Sequence, residues 1–87
     1  MPASYSLRIK RSAEKELRRI PKTDLRRIVH RIDSLAADPR PQGCEKLFGD
    51  DVYRIRQGDY RILYTVDDDE RVVEIIKVGH RREVYRR

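Results

Sequence analysis

The spacing of the apolar residues changes near residue 52, and this change limits the folds open to the chain more than any other feature. In residues 25–36 the apolar side chains recur at intervals of three and four, which places them on one stripe of a helix. From Val52 to Val78 apolar and polar residues alternate, as they do in strands with one buried face. The sequence therefore predicts helices followed by a strand-rich half.

Two turn sequences divide the strand-rich half into three strands. The Gln-Gly-Asp of residues 57–59 separates a strand at 52–56 from one at 60–66. The acidic run 67–70 precedes a third strand at 71–78, which Gly79 is expected to end. Short turns join neighbouring strands, so we expect an antiparallel meander, followed by a short basic tail from residue 80 onward.

The N-terminal half predicts one strand and two helices. Residues 4–9 alternate and predict a half-buried strand whose inner face carries Tyr5, Leu7 and Ile9. Ser12 is expected to cap a first helix, and Pro21 interrupts it. A second helix is expected to begin near Thr23 and Asp24 and to end at residues 38–41. The fold class is α+β in the order β-α-α-β-β-β, with a helical hairpin packed on one face of a small antiparallel sheet.

Length and composition predict one small domain spanning residues 1–87. Leu, Ile, Val and Phe make up 22 of the 87 residues, which is enough for a thin core. The single cysteine excludes an internal disulfide framework and favours a cytoplasmic protein. One cysteine and two histidines argue against a structural zinc site, and no sequence feature implies a cofactor. The apolar runs are too short for a membrane-spanning helix.

The positive charge is concentrated in the N-terminal half. The chain has a formal net charge of +6, and residues 1–40 contain 11 basic and 5 acidic residues. Arginine outnumbers lysine 16 to 5, and arginine binds phosphate through two parallel hydrogen bonds. This pattern favours a polyanionic partner such as nucleic acid, although a solvated helix face would show the same charges. The candidate RNA-binding residues are Arg18, Arg19, Arg26 and Lys46.

Three arginines are predicted to share the open face of the meander. The apolar side chains of the first two meander strands must face the helices. Because side chains alternate along a strand, Arg54, Arg56 and Arg61 are then expected on the opposite face. A turn at 58–59 places Arg56 opposite Arg61, whereas a turn at 57–58 places Arg54 there. Either pairing sets like charges against each other, which costs stability and favours an anion-binding site. Splayed side chains, or pairing with Asp59 and Glu74, would remove that cost.

The C-terminal segment carries further candidates for phosphate chemistry. Residues 79–85 read Gly-His-Arg-Arg-Glu-Val-Tyr, and folding over the open face would deliver Arg81 with His80 or Tyr85. Histidine suits acid–base catalysis at neutral pH, and nearby arginines lower the pKa of a tyrosine. A packed Tyr85 and a solvated His80 in a turn remain the alternatives.

The sequence resembles the RelE/ParE toxin superfamily in two segments. Residues 53–64, Tyr-Arg-Ile-Arg-Gln-Gly-Asp-Tyr-Arg-Ile-Leu-Tyr, are similar to the core of that superfamily, and residues 78–85 are similar to its C-terminal signature. The N-terminal strand, the helical hairpin and Lys46-Leu47 are similar too. The resemblance implies the toxin of a type II toxin–antitoxin system with a fold like that of the small microbial ribonucleases. In the RelE branch, such toxins cut mRNA in the ribosomal A site without a metal.

The resemblance also implies roles for individual residues. Arg61 and Arg81 would stabilise charge on the scissile phosphate, Arg54 and Arg56 would position the RNA, and Tyr85 would act as general base. Arginine is a poor proton donor, so His80 is a secondary candidate for the general acid. The implied partners are a cognate antitoxin, the ribosome with its mRNA, and operator DNA bound only through the antitoxin complex.

Other functions remain open at this point. ParE-type toxins share the fold and poison DNA gyrase, which does not require the nuclease residues. An inactive homologue, or a module that binds nucleic acid without cutting it, would also be small and basic. Proteolysis and metal-dependent hydrolysis lack the necessary Ser-His-Asp order and ligand cluster.

Overall fold

The computed structural model describes residues 4–47 and 51–82, which form two helices and five strands. The elements, in chain order, are β1 (Ser6–Ile9), α1 (Arg11–Arg18), α2 (Lys22–Ser34), β2 (Glu45–Lys46), β3 (Val52–Gln57), β4 (Tyr60–Asp67) and β5 (Val72–His80). The strands form one sheet in the order β1-β5-β4-β3-β2. The α+β class and the helical hairpin on one sheet face are confirmed, and so is the antiparallel meander of β3, β4 and β5.

The sheet is mixed rather than wholly antiparallel, which corrects the prediction at two edges. β1 pairs in parallel with β5. The two strands run in the same direction because the helical hairpin brings the chain back to the end of the sheet at which β1 begins. At the other edge, the two-residue strand β2 pairs with β3 and was not predicted. Glycine does not end the last strand either, since β5 continues through Gly79 to His80.

Both helices begin at backbone positions that the sequence analysis did not predict. The N-cap of α1 is Lys10, so Ser12 lies inside the first turn and caps nothing. The N-cap of α2 is Pro21, whose carbonyl oxygen accepts a hydrogen bond from Leu25 at 2.8 Å. Thr23 and Asp24 therefore lie in the first turn, where an acidic side chain favours the helix dipole.

A β-bulge allows β5 to supply the core despite an irregular apolar spacing. Leu63 pairs with Lys77 and Tyr64 pairs with Ile75, which leaves Ile76 without a partner in β4. The extra residue shifts the alternation, so Ile75 and Val78 both reach the core although they are three positions apart. Strict alternation would have placed one of them on the open face.

The core lies between the helices and one face of the sheet. Ala13 and Leu17 of α1, and Ile28 and Ile32 of α2, pack with Ile55, Ile62, Tyr64, Val73, Ile75 and Val78 of the sheet. Leu35 follows the end of α2 and is fully buried in the same cluster. The Tyr64 hydroxyl donates to the carbonyl oxygen of Pro39 at 2.8 Å, and burial raises its pKa above the usual range. No helix among the described residues is long and apolar enough to cross a membrane.

An ion-pair cluster ties the loop after α2 to the β4–β5 turn. Arg40 donates to both carboxylate oxygens of Asp68, at 3.1 and 2.8 Å, and to the Tyr53 hydroxyl at 3.0 Å. The Tyr5 hydroxyl donates to Asp68 at 2.6 Å. The hydrogen bonds from Arg40 and then Tyr5 lower the pKa of Asp68 to about 2.

Candidate anion-binding site

The β3–β4 turn sets two arginines directly against each other. Arg56 pairs with Arg61, which confirms the register that a turn at residues 58–59 predicts. Gly58 has a φ of 59°, a left-handed conformation that suits the first turn position of a two-residue hairpin. Because Ile55 and Ile62 are fully buried under the helices, the alternating arginines project to the opposite, open face.

A carboxylate missed by the sequence analysis joins this group of arginines. Glu45 of β2 lies opposite Arg54 of β3. The Oε1 atom of Glu45 accepts hydrogen bonds from Arg54 Nε at 3.1 Å and from Arg54 Nη2. The same oxygen lies 3.9 Å from Arg56 Nη2. Arg54 first, and then Arg56 and Arg61, lower the pKa of Glu45 below its usual value. Within residues 4–47 and 51–82, the acidic partner on this face is therefore Glu45, and not Asp59 or Glu74 as the alternative interpretation expected.

The arginines differ in how much of each side chain is accessible. The Arg54 side chain is 18% exposed and lies opposite Leu63, which is buried on the open face. The Arg56 side chain is 63% exposed. Arg61 donates from Nη1 to the carbonyl oxygens of Gly58 and Tyr60, at 3.1 and 3.0 Å. These two bonds hold its guanidinium at the turn, and among the described residues the other nitrogens of Arg61 make no hydrogen bond.

Arg81 lies beside the same turn. Its backbone N–H donates to the Asp59 carbonyl oxygen at 2.7 Å, and its Nε lies 3.8 Å from an Asp59 carboxylate oxygen. Gly79, two residues earlier, pairs with Arg61. The structure thus brings Arg81 to the end of the sheet that carries Arg56 and Arg61. Tyr85 lies outside the described residues.

His80 belongs to the other face of this end of the sheet. It pairs with Tyr60 across β4 and β5, and the two rings meet edge to face with centroids 5.8 Å apart. Its Nδ1 accepts a hydrogen bond from the Arg82 N–H at 3.2 Å, so the proton of the neutral ring is on Nε2. Alternation places Tyr60 and His80 on the helix side, opposite to Arg61.

The four residues suggested for RNA binding are spread over three elements. Arg18 forms an ion pair with Glu14 at 3.4 Å on α1, and Arg19 is the C-cap of that helix. Arg26 is exposed on α2, and Lys46 on β2 lies 3.7 Å from Asp51. Only Lys46 lies on a strand next to the arginines of β3, so these residues do not form one cluster with them.

Glu45 was missed because a two-residue strand has no recognisable period. Its pattern is too short for an alternation test, and the pairing with β3 depends on how the loop after α2 returns to the sheet. The available signal was the excess of like charge at Arg54, Arg56 and Arg61, which requires a nearby acid if it is to be stable without a ligand.

Together, the fold and the arginine face define a small basic α+β protein with a concentrated cationic site. The chain belongs to the ParE toxin family of type II toxin–antitoxin systems, because the model of that family (the ParE toxin of parDE) matches residues 7–85. The RelE/ParE superfamily membership expected from the two sequence segments is thereby confirmed.

Relatives in three organisms support the same assignment. The toxin RelG of Mycobacterium tuberculosis is 32% identical over 87 residues, covering 95% of this chain and 98% of RelG. The archaeal RelE–RelB complex of Pyrococcus horikoshii superimposes with a TM-score of 0.78 and 32% identity, covering 92% of this chain and 98% of that chain. The intact RelBE toxin–antitoxin complex of E. coli gives a TM-score of 0.79 and 31% identity, covering 88% and 96%.

Proposed function

We propose that this toxin arrests translation in the cytoplasm by cutting mRNA in the ribosomal A site without a metal. The observation that carries the proposal is the direct opposition of Arg56 and Arg61, with Arg54 beside them, on the open face of the sheet. Glu45 offsets only part of this like charge in the fold, and a bound phosphodiester would compensate for the rest. The two opposed guanidinium groups are suited to bind the phosphate oxygens through paired hydrogen bonds.

The proposed reaction is an internal transesterification. The RNA 2′-hydroxyl oxygen attacks the adjacent phosphorus, and the bond from phosphorus to the 5′-oxygen of the next nucleotide breaks. The products are a 2′,3′-cyclic phosphate and a 5′-hydroxyl. Arg61 and Arg81 stabilise the extra negative charge that develops on the phosphoryl oxygens, because both lie at the β3–β4 turn.

Proton transfers complete the reaction. Tyr85, as its phenolate, takes the proton of the 2′-hydroxyl, a role that its place in the C-terminal signature supports. The leaving 5′-oxygen gains a proton from water held by Arg54 and Arg56, since arginine itself stays charged. The hydroxide that remains takes the phenol proton of Tyr85, which restores the phenolate. His80 lies on the helix side of the sheet, so we assign it no proton transfer at the phosphate.

We further propose that a cognate antitoxin binds this toxin. The P. horikoshii and E. coli relatives were solved as complexes with RelB antitoxins. An antitoxin segment that covers the arginine face would neutralise it and block access of RNA. Binding to operator DNA would then depend on the antitoxin in the complex.

The test is translation in a cell-free extract with primer extension on the mRNA. Wild-type toxin is expected to stop translation and to produce breaks at codons in the A site. Arg61→Ala and Tyr85→Ala are expected to lose both effects, while Arg27→Ala, which removes one exposed charge from α2, retains them. Arrest by wild-type toxin without any mRNA break would contradict the proposal.

Gyrase poisoning is the second candidate, because the matching family model describes a ParE toxin. That activity does not use the arginine face for chemistry. A supercoiling assay with purified gyrase separates the two candidates. If the protein poisons gyrase, Arg61→Ala is expected to remain toxic. A protein that neither cuts mRNA nor inhibits gyrase would be an inactive homologue.

A further inference from the structure

A cavity of about 430 Å³ lies between the C-terminal end of α1 and the adjoining ends of β4 and β5. Its floor includes Ile20 and Val78, which are 8% and 1% exposed. Half-buried Tyr60, His80 and Glu16 and the exposed Arg19 complete most of the lining. The proposed cleavage chemistry uses none of these side chains, and the volume lies within the range of small-molecule sites.

Two aromatic rings give the cavity a fixed apolar corner. Tyr60 and His80 face each other across paired strands, with an interplanar angle of 79° and a centroid distance of 5.8 Å. Strand pairing fixes both backbones, so the rings lose little further freedom when a ligand binds. Proteins bind the unpaired bases of single-stranded RNA by stacking them on aromatic side chains of this kind.

Glu16 adds a polar group with a defined direction. It reaches from α1 to the sheet, where its Oε1 accepts a hydrogen bond from the Val78 N–H at 2.9 Å. A carboxylate has about four acceptor sites, and this is the one hydrogen bond that the Glu16 carboxylate accepts among the described residues. The remaining acceptor capacity suits a ligand that donates N–H groups, such as the amino group of a base.

The cavity and the arginine face lie at the same end of the sheet. Tyr60 immediately precedes Arg61, and Gly79, which also lines the cavity, pairs with Arg61. Neighbouring strand residues are only about 3.3 Å apart along the chain. Arg61 and the cavity lie on opposite faces of the sheet, so an RNA strand that passes around this end can place a phosphate at Arg61 and another of its bases in the cavity.

We propose that the cavity is a base-binding subsite that selects a base with an exocyclic amino group over uracil. This inference rests on the proposed function, because it needs RNA to lie across the arginine face. The base stacks on the face of one of the two rings and meets the edge of the other, because the rings are nearly perpendicular. Glu16 accepts its amino N–H, and Arg19 faces the neighbouring phosphate. The subsite would restrict the positions at which the toxin cuts.

The test compares 2′-O-methylated CCC and UUU trinucleotides, which cannot undergo 2′-hydroxyl attack. Cytosine and uracil have the same ring size, and at position 4, where the proposed contact with Glu16 forms, cytosine donates and uracil accepts. At position 3 the order is reversed, since cytosine accepts and uracil donates. NMR titration of the free toxin is expected to show at least fivefold tighter binding of CCC, with a shift of the Val78 amide signal. One hydrogen bond to a charged group typically changes affinity by roughly tenfold or more, so fivefold is the lower limit of the expected ratio.

Glu16→Gln keeps an oxygen for Val78 but replaces the other oxygen with a donor, so the preference for CCC is expected to vanish or reverse. Glu14→Gln, on the same helix but exposed, is expected to keep it. His80→Ala is expected to weaken both trinucleotides without changing their ratio.

Three results would overturn the subsite. If CCC and UUU bind equally, and Arg61→Ala weakens both, the arginine site remains and the subsite fails alone. A preference for CCC that survives in Glu16→Gln also removes the subsite. If neither trinucleotide binds at low salt, the subsite fails, whereas the proposed function, which acts on the ribosome, is judged by the primer-extension assay.

Discussion

The opposed arginines at the β3–β4 turn predict a measurable cost in stability. Arg56 and Arg61 face each other directly, with Cβ atoms about 4.5–5.5 Å apart in such pairs, and their flexible ends can separate to roughly 7 Å. Two unit charges at 7 Å repel by about 0.6 kcal/mol in water and by about twice that at a dielectric constant of 40. With a screening length of about 8 Å at 0.15 M salt, this falls to roughly 0.3–0.5 kcal/mol.

A double-mutant cycle isolates this repulsion. The free energy of unfolding is measured by urea denaturation for wild type, Arg56→Gln, Arg61→Gln and the double variant. We expect the coupling to be unfavourable by roughly 0.3–0.5 kcal/mol at 0.15 M salt. At 0.01 M salt, where the screening length is about 30 Å, the coupling rises to roughly 0.5–1 kcal/mol. For a domain of this size, 1 kcal/mol corresponds to about 4–8 °C in Tm.

Arg27 provides the matched control. It is exposed on α2, and the change to Gln removes one charge with little effect on helix propensity. The cycle of Arg27→Gln with Arg61→Gln is therefore expected to give a clearly smaller coupling at both salt concentrations. A coupling of zero for Arg56 and Arg61 at 0.01 M salt, or one that does not weaken as salt is added, would refute the reasoning. The like charge would then no longer indicate an anion-binding site.

Three further predictions concern residues around the site and the core. Glu45→Gln removes the carboxylate that competes for Arg54 and Arg56, so calorimetric titration is expected to show tighter binding of inorganic pyrophosphate, by roughly threefold or more. Weaker binding would mean that Glu45 mainly holds the arginines in position. The pKa of Asp68 is lowered to about 2, so its ionised carboxylate stabilises the fold above pH 4. This contribution is lost as the pH falls from about 4 through about 2. Asp68→Asn is expected to remove that part of the pH dependence of the free energy of unfolding, measured in urea titrations. Tyr64→Phe leaves the Pro39 carbonyl oxygen without its donor, at a cost of about 1–2 kcal/mol in the free energy of unfolding; no change would show that water replaces the hydroxyl.

The sequence predicted the structure correctly wherever one spacing of apolar residues continued over several helical turns or strand positions. The alternation from Val52 onward predicted the three-stranded meander, and it placed Arg54, Arg56 and Arg61 on one face. The periodic apolar stripe predicted α2 and its buried Ile28 and Ile32. In each case the period decides which side chains share a face, and the need to bury apolar side chains decides which face points to the core.

The sequence was a poor guide where backbone geometry competes with side-chain preference. Ser12 and Thr23 are favourable N-cap residues, yet Lys10 and Pro21 occupy those positions in α1 and α2. The loop before each helix fixes where the backbone turns, and the side-chain preference of about 1 kcal/mol does not overcome it. The bulge at Ile76 likewise follows from fitting β5 against β4, which no pattern in β5 reveals by itself.

The sequence by itself determined the α+β class, the order of the main elements and the face that carries Arg54, Arg56 and Arg61, because these depend on periods of a few residues. Only the tertiary structure decided that β1 joins β5 in parallel, that Glu45 meets Arg54, and that His80 turns toward Tyr60 and away from Arg61. Each of these contacts joins residues from separate elements. They depend on strand order and register across the sheet, which form only when the helices and strands pack around one core.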